Sequence, residues 1–205
     1  MAVTEGLRER KKEETRRALS SAALRLARQL GPDGVTIEAI AEAAGVSPRT
    51  FFNYFPSKDD AIVGVAPVEA SELIRDLVDQ PDDATPLEAL RGMCLATVPR
   101  LELTADELWA RHQLMQEHPS LATRRNAAFA EVERRLAVEI ARRTGRDLES
   151  DLYPTLVVTA ASGALKAAVS VWQERGRRDP LAELIDEAFR TIASGFALPV
   201  AVTAG

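Results

Sequence analysis

The sequence has few of the side chains that carry most enzyme chemistry. Its 205 residues include one cysteine, Cys94, and two histidines, His112 and His118. A single cysteine excludes an intrachain disulfide, and it is expected to pack as a small apolar group. The histidines are six positions apart and do not share a helical face, which argues against a metal site on one helix. Phosphate-binding glycine loops, dinucleotide fingerprints and nucleophile elbows are also missing. We therefore expect no metal, no cofactor and no enzyme activity.

Positive charge and long apolar runs are scarce as well. The formal net charge of −5 excludes a protein that coats nucleic acid with a uniformly basic surface, but it allows one local basic patch. The first ten residues lack the apolar segment of a secretory signal. The most apolar stretch, residues 155–172, contains Ser162 and Lys166 and is shorter than the roughly 20 residues of a membrane span. We expect a soluble cytoplasmic protein without a membrane span, in which this stretch forms a buried helix.

Glycine and proline, 11 residues each, separate long segments rich in alanine, leucine, glutamate and arginine. No run alternates apolar and polar residues between hairpin turn signals. This composition predicts an all-α protein, with helices at residues 7–30, 36–44, 48–55, 58–79, 86–99, 104–117, 120–144, 151–175 and 180–196. The tail from Ala197 is expected to be loose. We predict two domains, a smaller one at residues 1–60 and a larger helical one at residues 61–205.

Residues 36–55 have the pattern of a helix-turn-helix. Two short helices meet at Gly45-Val46-Ser47, where the glycine permits a tight turn. The apolar positions that would lock the two helices together are Ile37, Ile40, Ala41, Ala44, Val46 and Phe51. The outer face of the second helix carries Ser47, Pro48, Arg49, Phe52, Asn53 and Tyr54. Arginine and asparagine are the side chains that read guanine and adenine in the major groove. The pattern therefore favours DNA binding, and an ordinary corner between two helices with exposed aromatic residues is the alternative.

Basic residues lie on both sides of this motif. The first helix opens with Arg8, Arg10, Lys11, Lys12, Arg16 and Arg17, although four glutamates lie among them. Lys58 begins the helix after the motif, where free backbone N–H groups favour a phosphate. Both features agree with contacts to a DNA backbone. For the cluster on the first helix, a solvated helix face is the alternative.

The motif resembles the signature of one family of regulators. Residues 50–58, Thr-Phe-Phe-Asn-Tyr-Phe-Pro-Ser-Lys, together with Thr36, Ile40-Ala41 and Ala44-Gly45-Val46-Ser47, are similar to the signature of the tetracycline-repressor-like (TetR/AcrR) transcriptional regulators. The resemblance covers residues 8–62. It implies an N-terminal helix-turn-helix domain of three helices, followed by a larger helical domain for ligand binding and dimerisation. It also implies contacts with double-stranded operator DNA from Thr36, Ser47, Pro48, Arg49, Thr50, Asn53, Tyr54 and Lys58.

Two residues depart from the family pattern. Arg49 stands where many members have glycine, and Phe52 stands where many have tyrosine. A phenylalanine has no hydroxyl to donate to a phosphate, so the usual tyrosine contact is in doubt at Phe52. Arg49 would replace that contact or read a base edge.

Tight specific binding to DNA needs two copies of the motif, because a single helix-turn-helix buries little surface. Two apolar stripes late in the chain are candidates for a dimer interface. The first stripe comprises Leu152, Leu156, Ala160, Gly163, Ala164, Ala167 and Val171. The second stripe comprises Leu181, Leu184, Ile185, Ala188, Ile192 and Phe196. The resemblance also implies a four-helix interface between two subunits on a palindromic operator. The alternative is that both stripes pack on the chain's own core.

The middle helices hold larger and softer side chains, which suit an apolar cavity or a filled core equally well. The resemblance favours a ligand cavity, with a lining predicted at Met93, Trp109, His112, Met115 and Phe129. Arg111 or His112 would anchor a polar or anionic ligand head, with an exposed surface position as the alternative for Arg111. Residues 48–55 are also similar to a subgroup with acyl-CoA-like ligands.

The sequence therefore predicts a homodimeric DNA-binding repressor that an apolar or amphipathic small molecule releases from a palindromic operator. Pro67, inside the predicted helix 58–79, is expected to kink that helix and make it responsive to the ligand. Two alternatives stay open. One is an all-α small-molecule carrier or enzyme without DNA binding. The other is a helical module that binds a partner protein through residues 48–55.

Overall fold

The computed structural model describes residues 2–64 and 67–196, and it describes side chains for residues 11–64 and 71–196. These residues form helices and connecting turns, with no strand among them. The helices are α1 (Ala2–Leu30), α2 (Ile37–Ala43), α3 (Pro48–Phe51), α4 (Lys58–Val63), α5 (Pro67–Val78), α6 (Pro86–Leu103), α7 (Ala105–Glu117), α8 (Pro119–Thr144), α9 (Tyr153–Glu174) and α10 (Leu181–Ala193). The predicted all-α fold is confirmed. The tail from Ala197 and the side chains of Arg8 and Arg10 lie outside the described residues.

The predicted helix at residues 58–79 is two helices. α4 ends at Gly64, whose φ of +78° is the left-handed conformation of a helix C-cap. Pro67 is then the first residue of α5, a position that suits proline because the first turn of a helix needs no N–H donor. The prediction that Pro67 kinks a continuous helix is therefore wrong.

Pro99 lies inside a helix and does not end it. The prediction ends a helix at Pro99, whereas α6 continues to Leu103. Proline removes one backbone hydrogen bond from a helix. The last turn of α6 does not depend on that bond, because the Thr104 N–H donates to the Arg100 carbonyl oxygen (3.1 Å).

The helices form two compact units, and the first comprises Met1–Glu69 and Asp106–Ala130. It holds α1 to α4, α7 and the first half of α8. Its core contains apolar side chains from each of these segments, among them Leu19, Ala23, Ile40, Phe51, Phe55, Ile62, Leu114 and Leu121. α1 contributes residues four positions apart, which is the spacing of one helical face. The helix-turn-helix therefore packs on a long helix and on part of the later chain.

The second unit comprises Ala70–Ala105 and Glu131–Gly205. α6, α9 and α10 pack against one another in it. α10 is clearly amphipathic, with Leu181, Ile185 and Phe189 buried. Cys94 is buried as well, and burial raises the pKa of its thiol to about 12. The thiol is therefore protonated at neutral pH and unreactive, as expected for a small core residue.

Candidate nucleic-acid interface

One glycine builds the turn between α2 and α3. Gly45 has a φ of +69°, a left-handed conformation that other residues adopt only with strain. Its N–H donates to the Glu42 carbonyl oxygen (3.0 Å), and the Val46 N–H donates to the Ala41 carbonyl oxygen (2.9 Å). This pair of bonds is a Schellman motif. It ends α2 at a defined residue and so sets the direction in which α3 continues.

Ser47 caps the second helix of the motif. Its Oγ accepts a hydrogen bond from the Thr50 N–H (3.1 Å), and Pro48 occupies the first helical turn. Both residues suit these positions, because the cap satisfies a free N–H group and proline has none to satisfy. α3 itself ends at Phe51, but helical hydrogen bonds continue through the next turn. We refer to residues 47–55 as the recognition segment.

The recognition segment has one buried face and one exposed face. Phe51 and Phe55 are buried in the core of the first unit. The opposite face is open, and its exposed residues are Ser47, Pro48, Arg49, Phe52 and Asn53, with Thr50 and Tyr54 half-buried. Arg49 and Asn53, one turn apart, form no side-chain hydrogen bond or ion pair with any residue that the structure describes. Their polar groups are therefore available to an external partner such as a base edge.

Lys58 holds the loop that leads into α2. Its Nζ donates to the carbonyl oxygens of Pro32 (3.0 Å), Asp33 (3.2 Å) and Val35 (2.9 Å), which engages all three of its N–H groups. This loop places Thr36 at the N-cap of α2, where it is exposed. A phosphate contact from Lys58 would compete with these bonds. The local sequence gives no sign of them, because they join residues 23 to 26 positions apart.

A bidentate ion pair fixes the beginning of α4, just after the recognition segment. On α8, Arg124 donates from Nε to Asp60 Oδ1 (2.6 Å) and from Nη2 to Oδ2 (2.7 Å), and Ser57 Oγ also donates to Oδ2 (2.7 Å). Burial raises the pKa of Asp60, but the hydrogen bonds from Arg124 and Ser57 outweigh burial and hold the pKa below its ordinary value. The stability that this pair contributes is present above the ordinary aspartate pKa. It is lost as the pH falls through the lower pKa of the folded state.

Arg111 on α7 joins helices of the first unit from a buried position. Its Nε donates to the Ile62 carbonyl oxygen on α4 (3.2 Å), and its Nη2 donates to Ser20 Oγ on α1 (2.9 Å) and to the Glu107 carboxylate (3.2 Å). Ser20 Oγ in turn donates to the Ala61 carbonyl oxygen (2.9 Å). Arg111 is 8% exposed, so the alternative of an exposed surface position is wrong. Its guanidinium is a clamp within the unit, and two of its partners, Ile62 and Ser20, are distant in sequence.

The five side chains predicted to line a ligand cavity are divided between the two units, four in the first and Met93 in the second. Met93 is buried in the second unit, and Met115 is part of the core of the first. Trp109 and His112 are exposed and stack on each other with ring centroids 5.8 Å apart. Phe129 is exposed on α8. Softness and apolar character alone do not separate core residues from cavity residues, so the lining of a ligand cavity stays a prediction.

α9 presents an apolar face to the solvent. It is long and apolar enough to cross a membrane, yet only 28% of its most apolar 18-residue window is buried. The expected buried helix is therefore buried on one face only. Most residues predicted for a dimer interface are exposed or half-buried: Leu156, Ala160, Gly163, Ala167, Val171, Ala188 and Ile192. Ala164 and Leu184 are instead buried, because they lie where α9 and α10 pack within their own unit.

The chain matches two family models and is similar to a known regulator. The model of bacterial regulatory proteins of the tetR family matches residues 19–62, and that of the MftR C-terminal domain matches residues 84–197. The HTH-type transcriptional regulator TcmR of Streptomyces glaucescens is 34% identical over 85% of this chain and 80% of its own.

Two of the similar solved structures cover about nine tenths of the chain. A tetR-family transcriptional regulator from Streptomyces coelicolor is 27% identical, with a TM-score of 0.56 over 89% of this chain and 80% of that one. FadR of Thermus thermophilus, a TetR-family repressor solved in complex with lauroyl-CoA, is 25% identical, with a TM-score of 0.50 over 93% of this chain and 99% of that one.

These matches agree with the geometry of the recognition segment, and one family model alone covers more than half of the chain. The family consists of transcriptional regulators rather than enzymes, so the enzyme alternative is not retained. With a DNA-binding helix-turn-helix followed by a larger helical region, the chain belongs to the TetR family of bacterial transcriptional regulators.

Proposed function

We propose that the chain is a homodimeric cytoplasmic repressor that binds a palindromic operator in double-stranded DNA and is released from it by a small-molecule ligand. The exposed face of the recognition segment is the observation that carries the proposal. Arg49 and Asn53 are exposed there and lack partners among the described residues. The buried Phe51 and Phe55 hold this face outward. Residues 1–60 act as the DNA-binding domain, and residues 61–205 act as the ligand-binding and dimerisation domain.

The open face of α9 supports the dimer. A soluble protein rarely leaves a long apolar surface uncovered, and most of the apolar window of α9 is unburied. In a two-fold dimer the same surface of each subunit packs against its counterpart. A second copy of the chain would therefore cover the open face of α9. Such a dimer presents two recognition segments to successive major grooves, about 34–36 Å apart or a multiple of that distance.

The solved complex of Thermus thermophilus FadR with lauroyl-CoA supports an amphipathic ligand with a long acyl chain. A ligand that binds better to one spacing of the two recognition segments shifts the dimer toward that spacing. The ligand then lowers the affinity for operator DNA by some factor, and operator DNA lowers the affinity for the ligand by the same factor.

Replacing Arg49 with alanine tests the DNA-binding role. Purified chain is titrated against labelled duplexes from the DNA that flanks its own coding region, and fluorescence anisotropy gives the affinities. One duplex is expected to bind, with an affinity that falls steeply with salt. Arg49→Ala is expected to cost about 1–3 kcal/mol and to relax base preference at one operator position.

The control for this experiment is Arg178→Ala, which removes the same charge from an exposed position in the second unit and should leave operator affinity unchanged. An equal loss on every duplex from Arg49→Ala would assign Arg49 to a phosphate. Failure of the wild-type chain to bind any duplex would contradict the proposed function.

Addition of lauroyl-CoA to the operator complex should release the DNA. A coupling of about 5- to 150-fold in operator affinity is typical of allosteric regulators, and anisotropy measures it directly. Coenzyme A alone and lauric acid alone are the controls, and each is expected to act more weakly because it lacks one half of the amphipathic ligand. Release by coenzyme A alone would indicate a nucleotide ligand, whereas no release by acyl-CoA of any chain length would contradict this ligand class.

A further inference from the structure

Phe52 is the one large apolar side chain on the exposed face of the recognition segment. Its side chain is 57% exposed, and its backbone is helical, with φ −65° and ψ −14°. Phe52 is three residues after Arg49, so the two side chains are neighbours on the helix surface. Phe52 directly precedes Asn53, and all three side chains are exposed. A ligand that meets Arg49 and Asn53 therefore also meets the Phe52 ring.

The ring of Phe52 is held in a defined orientation. It packs edge-to-face on Phe51, with ring centroids 5.6 Å apart and an angle of 90° between the planes. Phe51 is fully buried, so the ring beneath Phe52 is part of the core of the first unit. Aromatic pairs favour this arrangement, which lets Phe52 act as a rigid apolar contact.

The chemistry of the ring limits what it can recognise in DNA. Phenylalanine has no donor or acceptor, so it forms no hydrogen bond with a phosphate or with the polar edge of a base. The major groove displays one prominent apolar group, the C5-methyl of thymine, and phenylalanine is among the side chains that contact it. An apolar ring beside Arg49 on the exposed face is suited to that methyl group.

We propose that Phe52 is a specificity-determining residue that recognises thymine in the operator through its 5-methyl group. The inference rests on the proposed function, because it requires the recognition segment to enter the major groove. Arg49 and Asn53 supply hydrogen bonds to base edges, and Phe52 supplies the apolar contact. The operator half-site therefore contains a thymine within reach of Phe52.

Deoxyuridine substitution tests this proposal, because it removes the 5-methyl group and leaves base pairing intact. The operator is first selected from a random duplex pool by the full-length wild-type chain. Each thymine is then replaced in turn by deoxyuridine, in both half-sites, and affinities are measured by anisotropy. At one thymine position the wild-type chain should lose about fourfold in affinity per half-site, the effect of one methyl group no longer buried. At the other thymines the loss should be small.

Variants at Phe52 complete the test. Phe52→Ala should bind the selected operator more weakly and should lose the preference for thymine over deoxyuridine at that position. Phe52→Tyr keeps the ring and should keep the preference. Leu30→Ala is a matched control, because Leu30 in the same unit is also 57% exposed but lies at the end of α1; the preference should be unchanged.

Two results would overturn the inference while leaving the proposed function intact. One is operator binding by the wild-type chain that is indifferent to deoxyuridine at every position. The other is a Phe52→Ala variant that discriminates thymine from deoxyuridine as well as the wild type does. If the random pool yields no duplex that the wild-type chain binds, the proposed function fails, and the inference fails with it.

Discussion

Gly163→Glu is expected to convert the proposed dimer into monomers and to lower operator affinity about 100-fold or more. Gly163 lies on the open face of α9, and a β-carbon added there meets no atom within 4 Å. In an isolated subunit, a glutamate side chain at this position would therefore extend into the solvent without a clash. In the proposed dimer the same carboxylate is enclosed between apolar surfaces, where an unpaired charge costs several kcal/mol. A monomer carries one recognition segment and loses the contacts of the second half-site.

Analytical ultracentrifugation measures the state of association, and anisotropy measures operator affinity on the same samples. Leu103→Glu is the matched control, because Leu103 is also an exposed apolar residue of the second unit, 81% exposed on α6, but lies off α9. This variant should remain dimeric and bind the operator normally. A Gly163→Glu variant that stays dimeric would place the interface elsewhere, and a monomeric variant with full affinity would contradict the need for two half-sites.

The local geometry that the sequence predicts correctly, the helix caps and the turn, depends on short-range interactions. Thr36, Ser47 and Ser57 cap their helices through bonds that span three residues, and Gly45 makes its turn with residues of α2. Such signals lie within one window of sequence. The helix-turn-helix and its exposed face are predictable for this reason. Gly64 is a helix end that the local sequence does not reveal, because the apolar residues on both sides of it suggest one continuous helix.

The parts that escape prediction depend on partners distant in the chain. The bonds of Lys58, the ion pair between Arg124 and Asp60 and the burial of Arg111 all join separate segments. The sequence has many arginines, and no local pattern distinguishes a buried one from those on the surface. The division of α9 into a packed face and an open face likewise depends on where α6 and α10 lie, since apolar residues occur on both faces in sequence.

Arg111→Ala is expected to lower the free energy of unfolding by about 3 kcal/mol. The guanidinium is buried, so its removal leaves the Ile62 carbonyl without this donor, and it leaves Glu107 without its ion-pair partner. Urea unfolding followed by circular dichroism at pH 7 measures the loss. Arg124→Ala is the control, because Arg124 also reaches α4, through Asp60, but 42% of its side chain is exposed. The control should lose about 1 kcal/mol or less, and equal losses would contradict the role of Arg111 as a buried clamp.

Gly64→Ala tests whether the Arg111 guanidinium lies where the structure places it. The φ of +78° at Gly64 costs any other residue about 1–2 kcal/mol. A β-carbon at this position would also lie 2.7 Å from Arg111 Nε and 2.9 Å from its Cζ, which is closer than two such atoms approach without strain. The alanine therefore displaces the guanidinium and weakens its bonds to Ile62 and Ser20. In an Arg111→Ala background only the backbone cost remains, so the double variant should be about 1–2 kcal/mol more stable than the sum of the two single losses predicts.

Gly31→Ala separates this coupling from the backbone cost. Gly31 follows α1 in the same unit with a φ of +74°, and a β-carbon there meets no atom within 4 Å. Its substitution imposes a similar backbone cost without touching Arg111. The loss from Gly31→Ala should therefore add to that of Arg111→Ala within about 0.5 kcal/mol, as distant sites do. Additive losses for Gly64→Ala as well would mean that the guanidinium does not press on Gly64. That result would contradict the position of the guanidinium from which it donates to the Ile62 carbonyl and to Ser20 Oγ.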